Sequence, residues 1–305
     1  NWKLGLTGLI MIPDFPELKP IELKDKEEVQ NYLEHFPPDI CELTFANIYI
    51  WREWEKPRLT KINGNLCVLC SPPDEPPYFL EPVGENKLDE TVNLGLTLVS
   101  RWSRLSEKFL GKLAGQYIIN EDRDNFDYVY LTQELAELSG KKYDGKRNWI
   151  KRFEKQFKYE LSAINQNDLP GCLELIREWG RGSADRERQE GEDNHTGAAV
   201  RAMEEALLNF GLFSFSTLAV LIDGRVEGFC LGEKLNPDTA VVHIEVASRE
   251  FPGLYQFLNR ECARRAWQQF RYINREQDAG LPGLRSAKLS YHPHHLVKKY
   301  NLCLP

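Results

Sequence analysis

No apolar run in these 305 residues approaches the ~20 that a membrane-spanning helix needs. The opening NWKLGLTGLIMIP is too short for a span and lacks the basic flank and cleavage pattern of a signal peptide. Met11 reads as a natural start, with residues 1–10 as an extension. Net positive charge is also missing: the chain carries −7, which argues against a general nucleic-acid coat but not against a local basic site. The seven cysteines have no regular spacing, so they form no disulfide framework and fit a reducing, cytoplasmic setting. Cys67-Val-Leu-Cys70 has metal or redox spacing, but no second pair follows and the run around it reads as a buried strand. His292, His294 and His295 have no acidic or cysteine set beside them, so no metal site is expected. No internal sequence repeat is detectable.

What is there alternates helix and strand signals. Lys19–Leu23 is strand-like, and Asp25 with Glu28 reads as a capping box ahead of Val29, Tyr32 and Leu33. Strands are expected at Arg58–Ile62, Leu66–Cys70, Tyr78–Leu80, Gln116–Ile119 and Tyr128–Leu131, and a helix, in one or two pieces, over Leu88–Leu113. A helix after Asp144-Gly145 carries Trp149, Ile150, Phe153 and Phe157 on one face. The second half reads strand (Tyr159–Ile164), helix after Asp168, a polar mobile loop (Arg181–Asn194) and helix (Thr196–Phe210). A hairpin turning at Asp223-Gly224, a strand (Ala240–Ala247), a helix from Gly253 and a strand (Arg271–Asn274) complete it. The two halves match in element order, which predicts an α+β chain of two domains, 1–157 and 158–305.

Positive charge is concentrated. Lys141–Lys158 holds eight Lys or Arg against two acids, and Arg260–Lys299 nine against three, so each segment carries +6 within an acidic chain. Such segregation suits a phosphate-rich partner, with Lys146, Arg147 and Lys151 as candidate contacts to tRNA. A solvated helix face or binding to anionic lipid headgroups are the other readings. His243 and Glu245 lie two apart on an expected strand and would share one face. A carboxylate among Val241, Val242, Ile244 and Val246 needs a partner or a cleft, which makes Glu245 the first candidate base.

The second-half order resembles the GNAT acyltransferase fold. The run Asn274-Arg-Glu-x-Asp278-x-Gly-x-x-Gly-Leu-Arg285-x-x-Lys288-x-Ser-Tyr291-x-Pro is more specific. It resembles the family named for the C-terminal domain of phosphatidylglycerol lysyltransferase, which is similar to the Fem aminoacyltransferases. Phe45-Ala-Asn47-x-x-x-Trp51, Asp127-Tyr-Val-Tyr130 and Lys146-Arg-Asn148 fit its soluble branch. The resemblance implies two tandem GNAT-like domains, each a mixed sheet flanked by helices, with the site in the second domain or in the groove between the two. It implies a pocket made by His243, Asn274, Arg275, Glu276, Asp278 and Arg285, with Lys288 binding the donor and Tyr291 as general acid. A salt-bridge web among Glu276, Asp278, Arg285 and Lys288 is the rival account.

A GNAT that uses acyl-CoA cradles the pyrophosphate with a glycine-rich turn at a helix N-terminus. The matching place here is Arg249-Glu-Phe-Pro-Gly253-Leu-Tyr255, where one glycine survives and Pro252 removes a donor. The expected activity is therefore transfer of an aminoacyl group from charged tRNA to an amine or hydroxyl acceptor, a small molecule or a lipid, with no tightly bound cofactor. Acyl-CoA-dependent N-acyl transfer is the alternative, and a non-catalytic binding module with this fold is a third reading.

Overall fold

The computed structural model describes residues 11–190 and 195–305, the side chains of 184–190 and 195 aside. In chain order the first half gives β1 (Lys19–Pro20), α1 (Lys26–His35), α2 (Phe45–Ile50), α3 (Arg52–Glu55), β2 (Arg58–Ile62), β3 (Asn65–Cys70) and β4 (Tyr78–Phe79). It continues through α4 (Leu88–Gly95), β5 (Trp102–Ser106), α5 (Glu107–Leu110), β6 (Ile118–Glu121), β7 (Asp127–Leu131), α6 (Thr132–Glu137) and α7 (Asp144–Gln156). The second half gives β8 (Glu160–Ser162), α8 (Leu169–Glu190), α9 (His195–Leu208), β9 (Ser216–Ile222), β10 (Arg225–Asn236) and β11 (Thr239–Ala247). The chain closes with α10 (Leu254–Arg265), β12 (Tyr272–Asn274), α11 (Pro282–Leu289), β13 (His295–Val297) and β14 (Lys299–Cys303).

The strands form two mixed sheets, ordered β1-β2-β3-β4-β5-β14-β6 and β13-β7-β12-β11-β10-β9-β8. This is the two-sheet α+β architecture expected. The sheets do not part at 157/158, however. β7 lies inside the second sheet, with Tyr130 opposite Ile273 and Tyr128 opposite Leu296. β14 returns to the first sheet between β5 and β6. Each exchanged strand fills a gap that would otherwise leave edges open, and carries Tyr128, Tyr130 and Leu302 into dry cores.

Strand alternation sends the two faces of the second sheet into different cores. Leu218, Val220 and Ile222 pack against α10 with Phe153 of α7, while Phe229, Leu231, Ile244 and Val246 join α2, α8, α9 and the first sheet. The latter cluster ties the halves together. The β9–β10 hairpin turns at Asp223-Gly224, both at positive φ, as the sequence indicates.

Other expectations fail locally. Trp102–Ser106 is β5 rather than helix: the Trp102 indole is wholly buried, stacks on Phe79 at 4.9 Å and donates to the Val92 carbonyl. Tertiary pairing thus overrides a helical pattern. Arg181–Glu190, read as loop, continues α8, because Arg, Glu, Gln and Ala all favour helix; residues 191–194 and the proposed extension at 1–10 lie outside the described residues. The capping box forms at Glu22 and Asp25, while Glu28 accepts from the Ile12 N–H. Cys230 and Cys262 form a disulfide that the sequence reading did not foresee, whereas Cys67 and Cys70 are buried free thiols as expected. No helix among the described residues is long and apolar enough to cross a membrane.

Candidate functional site

β12 runs parallel to β11 only over Thr239–Val241, and the two then part. The chain leaving β12 turns sharply at Glu276, held at φ +57. Lys288 ties this turn by donating from Nζ to the carbonyls of Arg275 and, at 3.3 Å, Glu276. Burial, helped by the nearby Arg275, lowers its pKa to about 8. The ammonium expected to bind the donor is therefore spent on the backbone.

Arg275 and Glu276 send their side chains to different surroundings. Arg275 bonds Glu245 at 3.0 Å, lies over the rings of Tyr291 and Tyr130, and leaves Nη1 buried without an acceptor. Glu276 meets His243 Nδ1 at 2.8 Å and accepts from Asn47 Nδ2 at 3.4 Å.

His243 and Glu245 do not act together. The β10–β11 register slips between Leu231/Ile244 and Gly232/Val242, leaving His243 in a bulge that breaks the alternation. Gly232 permits this close approach, since a Cβ there would meet the Val241 carbonyl oxygen at 2.3 Å. His243 Nε2 lies 3.0 Å from Glu233. Burial opposes its charge, yet the hydrogen bonds to Glu233 and Glu276 outweigh it and raise the pKa to about 9. The ring is an imidazolium that donates from both nitrogens. Glu245 instead accepts from Asn259 of α10 and from Arg275, so the first candidate base sits in a buried ion pair.

The remaining expected residues divide. Asn274 donates to Asp127 at 2.9 Å. Asp278 is fully buried among Arg285, Arg123 and Tyr128; burial works against its charge, but hydrogen bonds from Arg285, Tyr128 and the Gly280 N–H hold its pKa at about 2. That part is a salt-bridge web, as the rival reading held. Tyr291 is buried beneath Lys146, 4.0 Å from its ring, and burial pushes its phenol up, away from acid duty. Lys146 donates to Ser290, and Arg147 donates to the carbonyls of Leu138 and Gly140. Neither projects freely, whereas Lys151, Arg152, Lys155 and Lys158 are exposed.

Sequence reasoning missed a second buried cluster. Lys299 Nζ is wholly buried and donates to Glu42 (2.6 Å) and Asp127 (2.7 Å), with Cys41 Sγ at 3.5 Å. Cys41, Glu42 and Asp127 are spaced closely enough to hold a metal ion, but the ammonium already contacts all three. Asp127, and Asn47 which donates to the Cys41 carbonyl, lie in two of the three short motifs quoted above, which was the available signal.

Between the sheets lies a cavity of about 390 Å³. Its walls come from both halves: Asn47, Trp51 and Trp54 near α2 and α3, Arg104 of β5, Trp179 of α8, and Glu276 with Gln277 after β12. Glu42 links it to the Lys299 cluster. Arg104, Glu276 and Ala279 on its wall are non-glycine residues at positive φ, a strained state that clusters at functional sites. The expected substrate residues split accordingly: Glu276 faces this cavity, while Arg275, Glu245, Lys288 and Tyr291 belong to the far side.

The turn before α10 is closed. Gly253 has φ +95, and a Cβ there would meet the Trp149 carbonyl oxygen of α7 at 2.3 Å. Phe251 packs edge-on against Phe157 at 5.0 Å. Where acyl-CoA phosphates would be cradled, α7 is packed instead.

Residues 34–303 match the family described as phosphatidylglycerol lysyltransferase, C-terminal. Among solved structures, a conserved protein of unknown function from Bacteroides thetaiotaomicron is 31% identical, with a TM-score of 0.85 over 97% of this chain and all of that one. The L-PGS of Bacillus licheniformis has a TM-score of 0.62 at 14% identity, covering 96% of this chain and 94% of that one. FemX has a TM-score of 0.53 at 8% identity, covering 94% and 97%. These likenesses confirm the two-domain GNAT-like fold.

Proposed function

The chain belongs to the phosphatidylglycerol lysyltransferase C-terminal family, and from that premise we infer that it transfers an aminoacyl group from charged tRNA to an amine or hydroxyl acceptor in the inter-sheet cavity. The observation that carries this reading is Glu276. Its carboxylate lines the cavity on a strained residue and is fixed by His243 and Asn47. A carboxylate so held can take the proton of an attacking amine or hydroxyl. The ester carbonyl is attacked, the bond to the ribose oxygen breaks, and that oxygen is protonated. Asn47, on the same wall, is the nearby side-chain donor able to answer charge on the carbonyl oxygen.

The donor's phosphates would lie against the exposed Lys151, Arg152 and Lys155 of α7. The packing of α7 against Gly253 and Phe251 weighs against acyl-CoA as donor. An open cavity with Glu276, Asn47 and Arg104 on its wall weighs against a non-catalytic module. The test is deacylation of a charged tRNA mixture by the purified chain with small amine and hydroxyl acceptors. Glu276→Gln should slow an observed transfer by roughly 10²-fold or more. No transfer with any acceptor would refute the reading, and unchanged transfer in the variant would remove Glu276 as the base.

A further inference from the structure

The inter-sheet cavity has two chemically distinct walls. One is aromatic: Trp51, Trp54 and Trp179, with Ile48 between helices. The other is anionic: among the described residues six carboxylates line the cavity, Glu42, Glu75 and Glu276 among them, and Arg104 is the one cation.

Cations do stand behind this wall. Arg101 pairs with Glu75, Arg285 with Asp124, Lys299 with Glu42 and His243 with Glu276. Three of them are shared with carboxylates facing elsewhere: Arg285 with Asp278, Lys299 with Asp127 and His243 with Glu233. Among the described residues, nine carboxylates therefore stand against five cations, or six when Arg123 on Asp278 is included. Arg104 is itself engaged by Glu55 and Glu42, so it presents little uncompensated charge to a guest. An anionic headgroup entering here would meet net like charge in a partly dry space, where Coulomb terms weigh more than in water. A cation would meet carboxylates on one side and indole faces on the other, the setting in which cation–π attraction is strongest.

Resting on the acyl-transfer reading, we propose that the acceptor is a primary amine bearing at least one further positive charge and an apolar spacer, of the polyamine class. The spacer lies along the tryptophans and the second ammonium meets the carboxylates near Glu75. The reacting ammonium gives its proton to Glu276. The freed nitrogen attacks the aminoacyl ester carbonyl, a C–N bond forms, the C–O bond to the tRNA ribose breaks, and the leaving oxygen takes up a proton. The product is an aminoacyl amide of the polyamine.

The experiment is a titration of the full chain with spermidine, read by tryptophan fluorescence and calorimetry, beside glycerol 3-phosphate and phosphatidylglycerol vesicles. It is run at about 50 and 200 mM salt. Glu276→Gln and the surface variant Asp74→Asn with Glu75→Gln are titrated in parallel, with Trp179→Leu as the aromatic probe. Spermidine should bind and quench the tryptophans, and each variant should weaken it by about tenfold or more. Binding of glycerol 3-phosphate or the vesicles in preference to spermidine overturns the proposal. So does spermidine binding that all variants leave unchanged, which would place it elsewhere on an acidic surface. Product analysis separates the two levels. Aminoacyl transfer to glycerol 3-phosphate but not to spermidine keeps the transferase reading and discards the amine acceptor. Cavity binding of spermidine with no transfer from any charged tRNA keeps the ligand class and discards the transferase.

Discussion

The buried imidazolium of His243 makes a signed prediction about stability and pH. The ring is 1% exposed and lies between Glu233 and Glu276 at 3.0 and 2.8 Å. Its pKa rises from 6.5 in the unfolded chain to about 9 in the folded one, which corresponds to about 3 kcal/mol of stability. Because the folded value is the higher one, this stability is fully present below 6.5 and is lost as pH rises toward 9. Lys288 works in the opposite sense. Its pKa falls from 10.5 to about 8, so the unfolded chain binds more protons in that window and stability rises with pH. The His243 effect is therefore cleanest between about pH 6.5 and 8, where about 2 kcal/mol should be lost. Urea titrations across that range on the native chain and on His243→Gln isolate it, because groups common to both cancel in the difference. The native chain should lose about 2 kcal/mol relative to the variant. Parallel curves, or a difference of opposite sign, would show that the ring is neutral in the folded state.

Other consequences can be read directly. Lys299→Met should destabilise by about 3–5 kcal/mol in chemical denaturation, because it strands Glu42 and Asp127 in the dry interior; a near-neutral result would mean those carboxyls bind protons instead. Gly253→Ala should cost more than about 1 kcal/mol by thermal unfolding, given its φ of +95 and the Trp149 carbonyl oxygen 2.3 Å from the new Cβ. Lys151→Glu with Lys155→Glu on the exposed face of α7 should weaken tRNA binding and flatten its salt dependence by about two counterions, measured between about 50 and 200 mM salt. Unchanged affinity would leave those charges as a solvated face.

Much of the fold was legible because its strongest signals are local. The β9–β10 hairpin announces itself through alternation and Asp223-Gly224, and the GNAT-like element order follows from it. β5 was not legible: a short apolar run around Trp102 fits helix and strand alike until β4 and β14 are known to flank it. The exchange of β7 and β14 between sheets is likewise decided by partners more than a hundred residues away. At the site, a period-two argument placed His243 beside Glu245, and one bulge undid it; the sole local hint was Gly232 on the neighbouring strand. Lys299 looked like one more cation in a basic run, yet it is wholly buried, as is its partner Asp127.

The charge segregation visible in the sequence thus has two meanings. Lys151, Arg152, Lys155 and Lys158 are a solvent-facing surface, whereas Arg285 and Lys299 of the second basic segment balance the buried Asp278, Glu42 and Asp127. Arg275 and Glu276 mark where the two arrangements meet. The first joins a basic neighbourhood with Lys146 and Lys288, and the second joins an acidic cavity with Asn47 and His243. A single reversal at a strand end therefore places a basic and an acidic neighbourhood on opposite sides of the same peptide bond.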